Sequence, residues 1–248
     1  MWDPESLVIV TATFLLAGLV KGVIGLGLPT VSVAVLAATL GLTEAMVLML
    51  IPSFVTNLWQ GLVGGAFAAI LKRIWLLLAA ACIATWFAAG LLARSDAALL
   101  TALLGLLLCI YAAISLLTPQ IPPPGRREPW LSPLVGAASG VTTGLTGTFV
   151  VPGVLYLQAL GLPRDMLVQA MGIAFTVATL ALAAALGGHG LLPPDLGALS
   201  VVAVAPALIG MWIGQTVRRR LPERQFRQVF FGGLLLLGLY LVGRFFLG

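Results

Sequence analysis

Continuous apolar runs fill most of the chain, parted by brief clusters of charge, proline or glycine. A helix that spans a bilayer needs about 20 apolar residues, and several runs reach that length. Cutting at the breaks predicts helical segments over residues 6–23 (interrupted only by Lys21), 28–40, 45–71, 74–93 and 97–117. Residues 118–130 then carry Pro119, Pro122, Pro123, Pro124 and Gly125. Proline lacks the amide donor and clashes with the preceding turn, so this stretch cannot be helical throughout. Beyond it the rhythm resumes over 131–145, 149–160, 166–186, 196–217 and 228–247, with a loop of Gly187-Gly188-His189-Gly190 and Pro193-Pro194. The apolar runs do not alternate with polar residues, which excludes a membrane β-barrel. The predicted fold class is an all-α polytopic membrane protein. It has about 8–10 membrane segments, including short pieces that are broken or re-entrant.

Composition sharpens this picture. Of 248 residues, 60% are hydrophobic and only 8% charged, against roughly a quarter charged in soluble domains. Mean hydropathy is +1.13. A soluble globule, a disordered chain and a disulfide scaffold are all excluded. The net charge of +5 does not read as a nucleic-acid surface. Its sources, Lys72-Arg73, Arg126-Arg127 and Arg218 to Arg220 with Arg224 and Arg227, sit in short clusters between apolar runs. Such clusters mark cytoplasmic loops. Cys82 and Cys109 lie within apolar runs, show no metal spacing, and read as small hydrophobes. The N-terminal Met1-Trp2-Asp3-Pro4-Glu5 is acidic, unlike the basic start of a signal peptide.

The stretches on either side of the proline loop resemble each other. Gly18 and Gly22 match Gly136 and Gly140, and Gly25-Leu26 matches Gly144-Leu145. Gly41-Leu42, Met46 and Thr56 match Gly161-Leu162, Met166 and Thr176 in the same order. The predicted organisation is an N-terminal repeat over 1–117, a cytoplasmic linker over 118–130 and a C-terminal repeat over 131–248. With all three basic clusters in the cytoplasm, each half crosses the membrane an odd number of times, so the repeats are inverted. A rival count gives eight spans in parallel repeats, but it places Arg126-Arg127 outside.

The candidate chemistry lies where the helices are expected to break. Gly22-Val23-Ile24-Gly25-Leu26-Gly27-Leu28-Pro29 has a counterpart in Gly140-Val141-Thr142-Thr143-Gly144-Leu145-Thr146-Gly147-Thr148. Clustered glycines should unwind a helix, and proline suits the first turn of the next. The restarted helix presents free N–H groups and the positive end of its dipole, which bind an anion without a charged side chain. Two such ends facing each other near the midplane would form a transporter-like site. Gly25, Gly27, Gly144 and Gly147 would shape it. Thr142, Thr143, Thr146, Asn57, Gln60 and Thr176 would donate to it. Lys21 either attracts the anion or snorkels to the interface. The competing reading is packing, since small residues let membrane helices approach closely, as Gly18, Gly22, Gly136 and Gly140 would. Asn57 and Gln60 would then bond between helices. Glu44 and Asp165 follow the two Gly-Leu turns and read as charges at helix starts.

No carboxylate lies deep in a predicted span, and His189 stands alone in a glycine loop. No catalytic triad, HExxH or nucleotide-binding pattern appears. No catalytic residue, metal or cofactor is expected. The expected partners are a small anionic substrate, the lipid bilayer and, as one option, a second copy of the chain.

The stretch LAGLVKGVIGLGLPTVSVAVLAATLGL at residues 16–42 resembles the opening motif of the TauE/SafE family. GAASGVTTGLTGTFVVPGVLYLQALGLPRDMLVQAMGIAFTVATL at 136–180 resembles its second-half motif. The family's glycines fall on Gly22, Gly25 and Gly27, and on Gly140, Gly144 and Gly147. Leu28-Pro29 departs from the glycine run that many members carry there. The resemblance implies a small permease of the bacterial inner membrane for sulfite or organosulfonates such as sulfoacetate. The rival expectations are a carrier of another small organic anion and a membrane scaffold that transports nothing.

Overall fold

The computed structural model describes residues 3–117, 121–218 and 223–247. Met1, Trp2, Pro119, Arg219 and Arg220, which the sequence reading uses, lie outside the described residues. The described residues are helical with no strand. Their helices are α1 (Pro4–Ile24), α2 (Leu28–Thr39), α3 (Leu42–Leu62), α4 (Phe67–Leu92), α5 (Ala97–Leu117), α6 (Glu128–Thr146), α7 (Leu155–Ala159), α8 (Arg164–Gly188), α9 (Pro194–Val202), α10 (Val204–Arg218) and α11 (Glu223–Leu247). A π-turn over Val150–Val154 leads into α7. Seven helices among the described residues are long and apolar enough to cross a membrane, and two shorter apolar pieces, Leu28–Thr39 and Val150–Ala159, fall below that length. The chain is an all-α multi-pass membrane protein.

One boundary differs clearly from expectation. The predicted segment 45–71 is two helices, because Gly64 (φ +134) and Gly65 (φ +77) turn the chain between α3 and α4. Lys72 and Arg73 therefore lie inside the first turns of α4 and not in a loop. Lysine and arginine are good helix formers, so charge alone does not end a helix there. Within α3, Pro52 cannot donate to the Leu48 carbonyl four residues back. Ser200 of α9 compensates: its hydroxyl donates to the Leu48 carbonyl (2.8 Å) and accepts from the Ile51 N–H (3.2 Å).

The chain forms two compact units, and neither follows the two sequence halves. One is drawn from within Met1–Pro52, Asp96–Leu117 and Leu192–Gly248, the other from within Ser53–Ser95 and Thr118–Leu191. In the first unit α1 packs on α10 through glycines. A Cβ on Gly18 would fall on the Ala207 carbonyl, and one on Gly22 on the Met211 carbonyl; Gly210 and Gly214 meet the Leu15 and Leu19 carbonyls in return. The backbones touch, as small residues in membrane helices permit. Gly105 of α5 and Gly238 of α11 meet in the same reciprocal way, each 2.7 Å from the other's carbonyl oxygen if given a Cβ.

In the second unit α6 packs on α4, with Gly136 against the Leu77 carbonyl and Gly140 against that of Ala81. The Thr85 hydroxyl donates to the Gly140 carbonyl at 3.2 Å. The end of α3 meets α8, where Gly61 and Gly172 bring the backbones together. Each unit thus pairs a helix that opens one half of the sequence with a helix from the other half.

Candidate functional site

Each unit contains one interrupted helix. In the first, α1 stops at Gly25, whose left-handed backbone (φ 80) returns its N–H to the Lys21 carbonyl at 2.8 Å. Gly27 is also left-handed (φ 104), a conformation that disfavours any side chain. Pro29 stands in the first turn of α2, and no side chain caps that helix start. Leu28 and Thr30 are buried there. A buried helix start without a side-chain cap offers amide hydrogens to an anion. Lys21 lies in the last turn of α1 with 3% of its surface exposed, and it is the one buried charged side chain among the described residues. The structure thus brings Lys21, Gly25 and Gly27 together at one break, and Lys21 does not reach solvent by snorkelling.

The second break falls on Gly147, the later of the two glycines expected to shape it. α6 runs unbroken through Gly144 to Thr146 and stops at Gly147 (φ 72), whose N–H returns to the Thr143 carbonyl at 2.8 Å. Gly147, not Gly144, is the counterpart of Gly25. Gly144 packs instead: a Cβ would lie 2.7 Å from both the Thr85 carbonyl oxygen and the Ala88 methyl. It serves close approach to α4, as Gly22 serves approach to α10. The repeated Gly-Leu dipeptide points to the wrong glycine because a helical glycine and a left-handed one look alike in sequence.

The threonines expected as donors turn inward. The Thr142 hydroxyl faces the Ser139 carbonyl (2.9 Å) and the Val151 carbonyl (3.0 Å). Thr143 faces the Ser139 carbonyl (2.7 Å) and that of Thr148 (3.3 Å). Thr146 donates to the Thr142 carbonyl (2.7 Å) and lies 2.9 Å from the Thr148 hydroxyl. A hydroxyl has one proton, so these groups hold the break in shape and keep only lone pairs for a ligand.

The side chains expected on α3 and α8 divide in the same way. Gln60 donates to the Val168 carbonyl at 2.7 Å, and Gln169 donates to Gly61 (3.0 Å) while accepting from Ala66 N–H (3.1 Å). These amides bond one helix to another, as the packing alternative expects. Thr176 donates to the Gly172 carbonyl of its own helix at 2.7 Å. Asn57 is fully buried.

Sequence reasoning missed a polar cluster at the base of the second break. Arg73 of α4 makes a bidentate pair with Glu128, Nε to Oε1 at 2.6 Å and a terminal nitrogen to Oε2 at 2.9 Å. The same terminal nitrogen donates to the Leu160 carbonyl at 3.0 Å. The neighbouring guanidinium holds the Glu128 carboxyl below the usual carboxylate range. Tyr156 and Ser132 share a hydrogen bond of 2.7 Å, and the Tyr156 hydroxyl donates to the Glu128 carbonyl at 3.3 Å. No spacing rule pairs residues 55 positions apart, so only the charges themselves could have signalled it.

Two of the cavities among the described residues lie in the first unit. One, of about 510 Å³, is bordered by Gly41, Thr101 and Arg244. The other, an apolar groove of about 310 Å³, runs between α1, α2 and α11 past Val20 and Phe230. Lys21 lines neither.

No curated protein and no solved structure matches the chain. The family profile described as Sulfite exporter TauE/SafE matches residues 10–241. That stretch covers most of the chain and takes in both helix breaks, so the chain belongs to the TauE/SafE family of membrane transporters.

Proposed function

We propose that this protein is a secondary carrier of small sulfur-containing anions, sulfite or organosulfonates such as sulfoacetate, in the bacterial inner membrane. The observation that carries this reading is Lys21, a buried lysine one turn before a helix break in a family of sulfite exporters. Placing a charge away from water is costly. Ionisable groups within membrane segments accordingly mark ligand paths. The uncapped start of α2 adds neutral amide donors beside it. A sulfonate or sulfite offers several oxygens and negative charge, which matches an ammonium and a row of N–H groups.

The two halves act as inverted repeats, and movement of one against the other alternates access to the anion. Gly25, Gly27 and Gly147 set the breaks. The threonines Thr142, Thr143 and Thr146 shape the second break, and Gln60 and Thr176 stiffen its surroundings.

Purified protein in proteoliposomes tests the reading. Saturable sulfite flux, with competition by unlabelled sulfoacetate, is expected. Stronger competition by simple carboxylates would instead mark a carrier of other organic anions. No saturable flux of any sulfonate, sulfite or carboxylate would leave a non-transporting scaffold. Lys21→Met removes the ammonium and keeps an apolar stem of similar length, and detergent size-exclusion chromatography checks that the variant is folded. It should raise the KM for sulfite about tenfold to a hundredfold, the worth of a charge-assisted hydrogen bond. An unchanged KM in a folded variant would remove Lys21 from the site.

A further inference from the structure

We propose that residues 128–160 form a re-entrant hairpin that leaves the membrane on the side it entered, and that Arg73 is a positioning residue fastening both ends of that hairpin to α4. A single guanidinium touches the first residue of α6 and the residue just beyond α7. A broken helix that crossed the bilayer once would hold Glu128 and Leu160 on opposite faces, beyond the reach of any one side chain. Tyr156 bonds Ser132 and the Glu128 carbonyl, so α7 lies beside the opening turns of α6. Thr142 bonds the Val151 carbonyl, which joins the two arms again nearer the tip. The contacts pair later residues with earlier ones in reverse order, the signature of an antiparallel hairpin.

The tip decides between re-entry and two full crossings. Gly147, Thr148, Phe149 and Val150 are all buried, although they join the two arms. A loop that emerged on the far side would present its backbone to water. The return arm, Val150–Ala159, is also well short of the roughly 20 residues that a spanning helix needs. Irregular backbone at membrane depth is tolerated only where protein encloses it or it lines a cavity. The threonine hydroxyls around the tip supply that enclosure with hydrogen bonds.

The two ends need a fastening because α7 has only five residues and too few bonds of its own to hold its position. Arg73 is suited to the role: its planar fork satisfies both carboxylate oxygens and still donates to a carbonyl. Lysine presents one point charge and cannot make that arrangement.

Three readouts test this. Single cysteines at Trp130 and Asp165, in a Cys82→Ala/Cys109→Ala background, should be labelled by an impermeant maleimide from the same side. A cysteine at Phe149 should resist labelling from the opposite side. Labelling of the first pair from opposite sides, or of the tip from the far side, overturns the hairpin.

Arg73→Gln should raise hydrogen exchange over residues 150–160 about twofold to threefold while leaving α8 unchanged, because a partly exposed charged pair is removed locally. Arg73→Lys should restore only part of the protection, and the exchange of charges in Arg73→Glu/Glu128→Arg should restore more than either single variant. Unchanged exchange in Arg73→Gln, or no recovery in the swapped pair, overturns the fastening. The third readout is flux, which rests on the carrier reading: Arg73→Gln should lower kcat more than it changes KM for sulfite, and a change confined to KM would overturn the positioning role. The labelling and exchange results stand whether or not sulfite is carried, so the two readings fail separately.

Discussion

The two interrupted helices reach the same end by different means. Both stop at a left-handed glycine whose N–H returns to a carbonyl four residues back, Lys21 in one and Thr143 in the other. After that they diverge. The first restarts within three residues, with Gly27 and Pro29 setting the backbone and no side chain capping the new helix. The second needs a longer passage, with Val151 extended (φ −122) inside a π-turn and four threonine hydroxyls bonded around it. A break made by glycine and proline removes the helical option from the backbone and leaves side chains and amides available. A break made by threonine offers carbonyls an alternative partner and uses up its own donors in doing so. Equivalent positions therefore carry different groups: a buried lysine at Lys21, and at Thr143 a hydroxyl bonded around the break.

The largest effect should come from the glycines that bring helices into contact. Gly144→Leu forces a side chain into the backbone of α4 at Thr85 and Ala88, and Gly22→Leu does the same against α10. Overpacking of this kind costs about 1–3 kcal/mol or more, and more where backbone must move. Both variants should lose the monodisperse peak in detergent size-exclusion chromatography. A folded Gly144→Leu protein that had merely stopped transporting would return Gly144 to the site and undo its equivalence with Gly22.

Next in size is Gly27→Ala. The left-handed backbone at φ 104 disfavours a side chain, and the strain is about 1–2 kcal/mol. The new methyl would also approach Val20 at 3.2 Å. A lower melting temperature with altered sulfite KM is expected, because the strain falls on the uncapped start of α2. If KM stays fixed while stability falls, that helix start takes no part in binding.

Thr143→Val should cost less, about 1 kcal/mol, the net worth of one hydrogen bond. The loss should appear in the second unit alone, as faster hydrogen exchange around Gly147. Its counterpart in the first unit is Lys21, whose removal should change the KM for sulfite. Matching effects at the two positions would erase the contrast between the breaks.

What could be read from the sequence follows the same division. Where a chemical signal ends a helix, the boundary is legible: Pro29 and the glycines mark the start of α2, and the span 97–117 is matched by α5. Where helices are apolar on every face, periodicity carries no information about their ends. The turn at Gly64-Gly65 is hidden for that reason inside one long apolar run. The fold class and the family were legible because composition and collinear motifs do not depend on such boundaries. The site was legible in part. A left-handed glycine cannot be told from a packing glycine without its neighbours, so the sequence names Gly144 and Gly147 alike although only Gly147 ends the helix. The inward hydroxyls and the Arg73–Glu128 pair depend on contacts between distant parts of the chain, and no local spacing encodes them.

The smallest effect concerns that pair and its pH dependence. Arg73 holds the Glu128 carboxyl below the ordinary range, so the folded state binds a proton there less readily than the unfolded chain. Its stabilising contribution is therefore present at neutral pH and lost as pH falls through the lowered value. Arg73 and Glu128 keep 38% and 22% of their side-chain surface exposed, and water screens a pair so placed to well under about 1 kcal/mol. In thermal melts from neutral pH downward, the wild type should exceed Arg73→Gln by about 1–2 °C near neutrality. The two curves should converge as the carboxylate takes up its proton, at a pH below the ordinary glutamate range. A gap between wild type and Arg73→Gln that persisted at low pH would mean that Arg73 acts through its bond to the Leu160 carbonyl alone, and the second break would then be held, like the first, by contacts to the backbone.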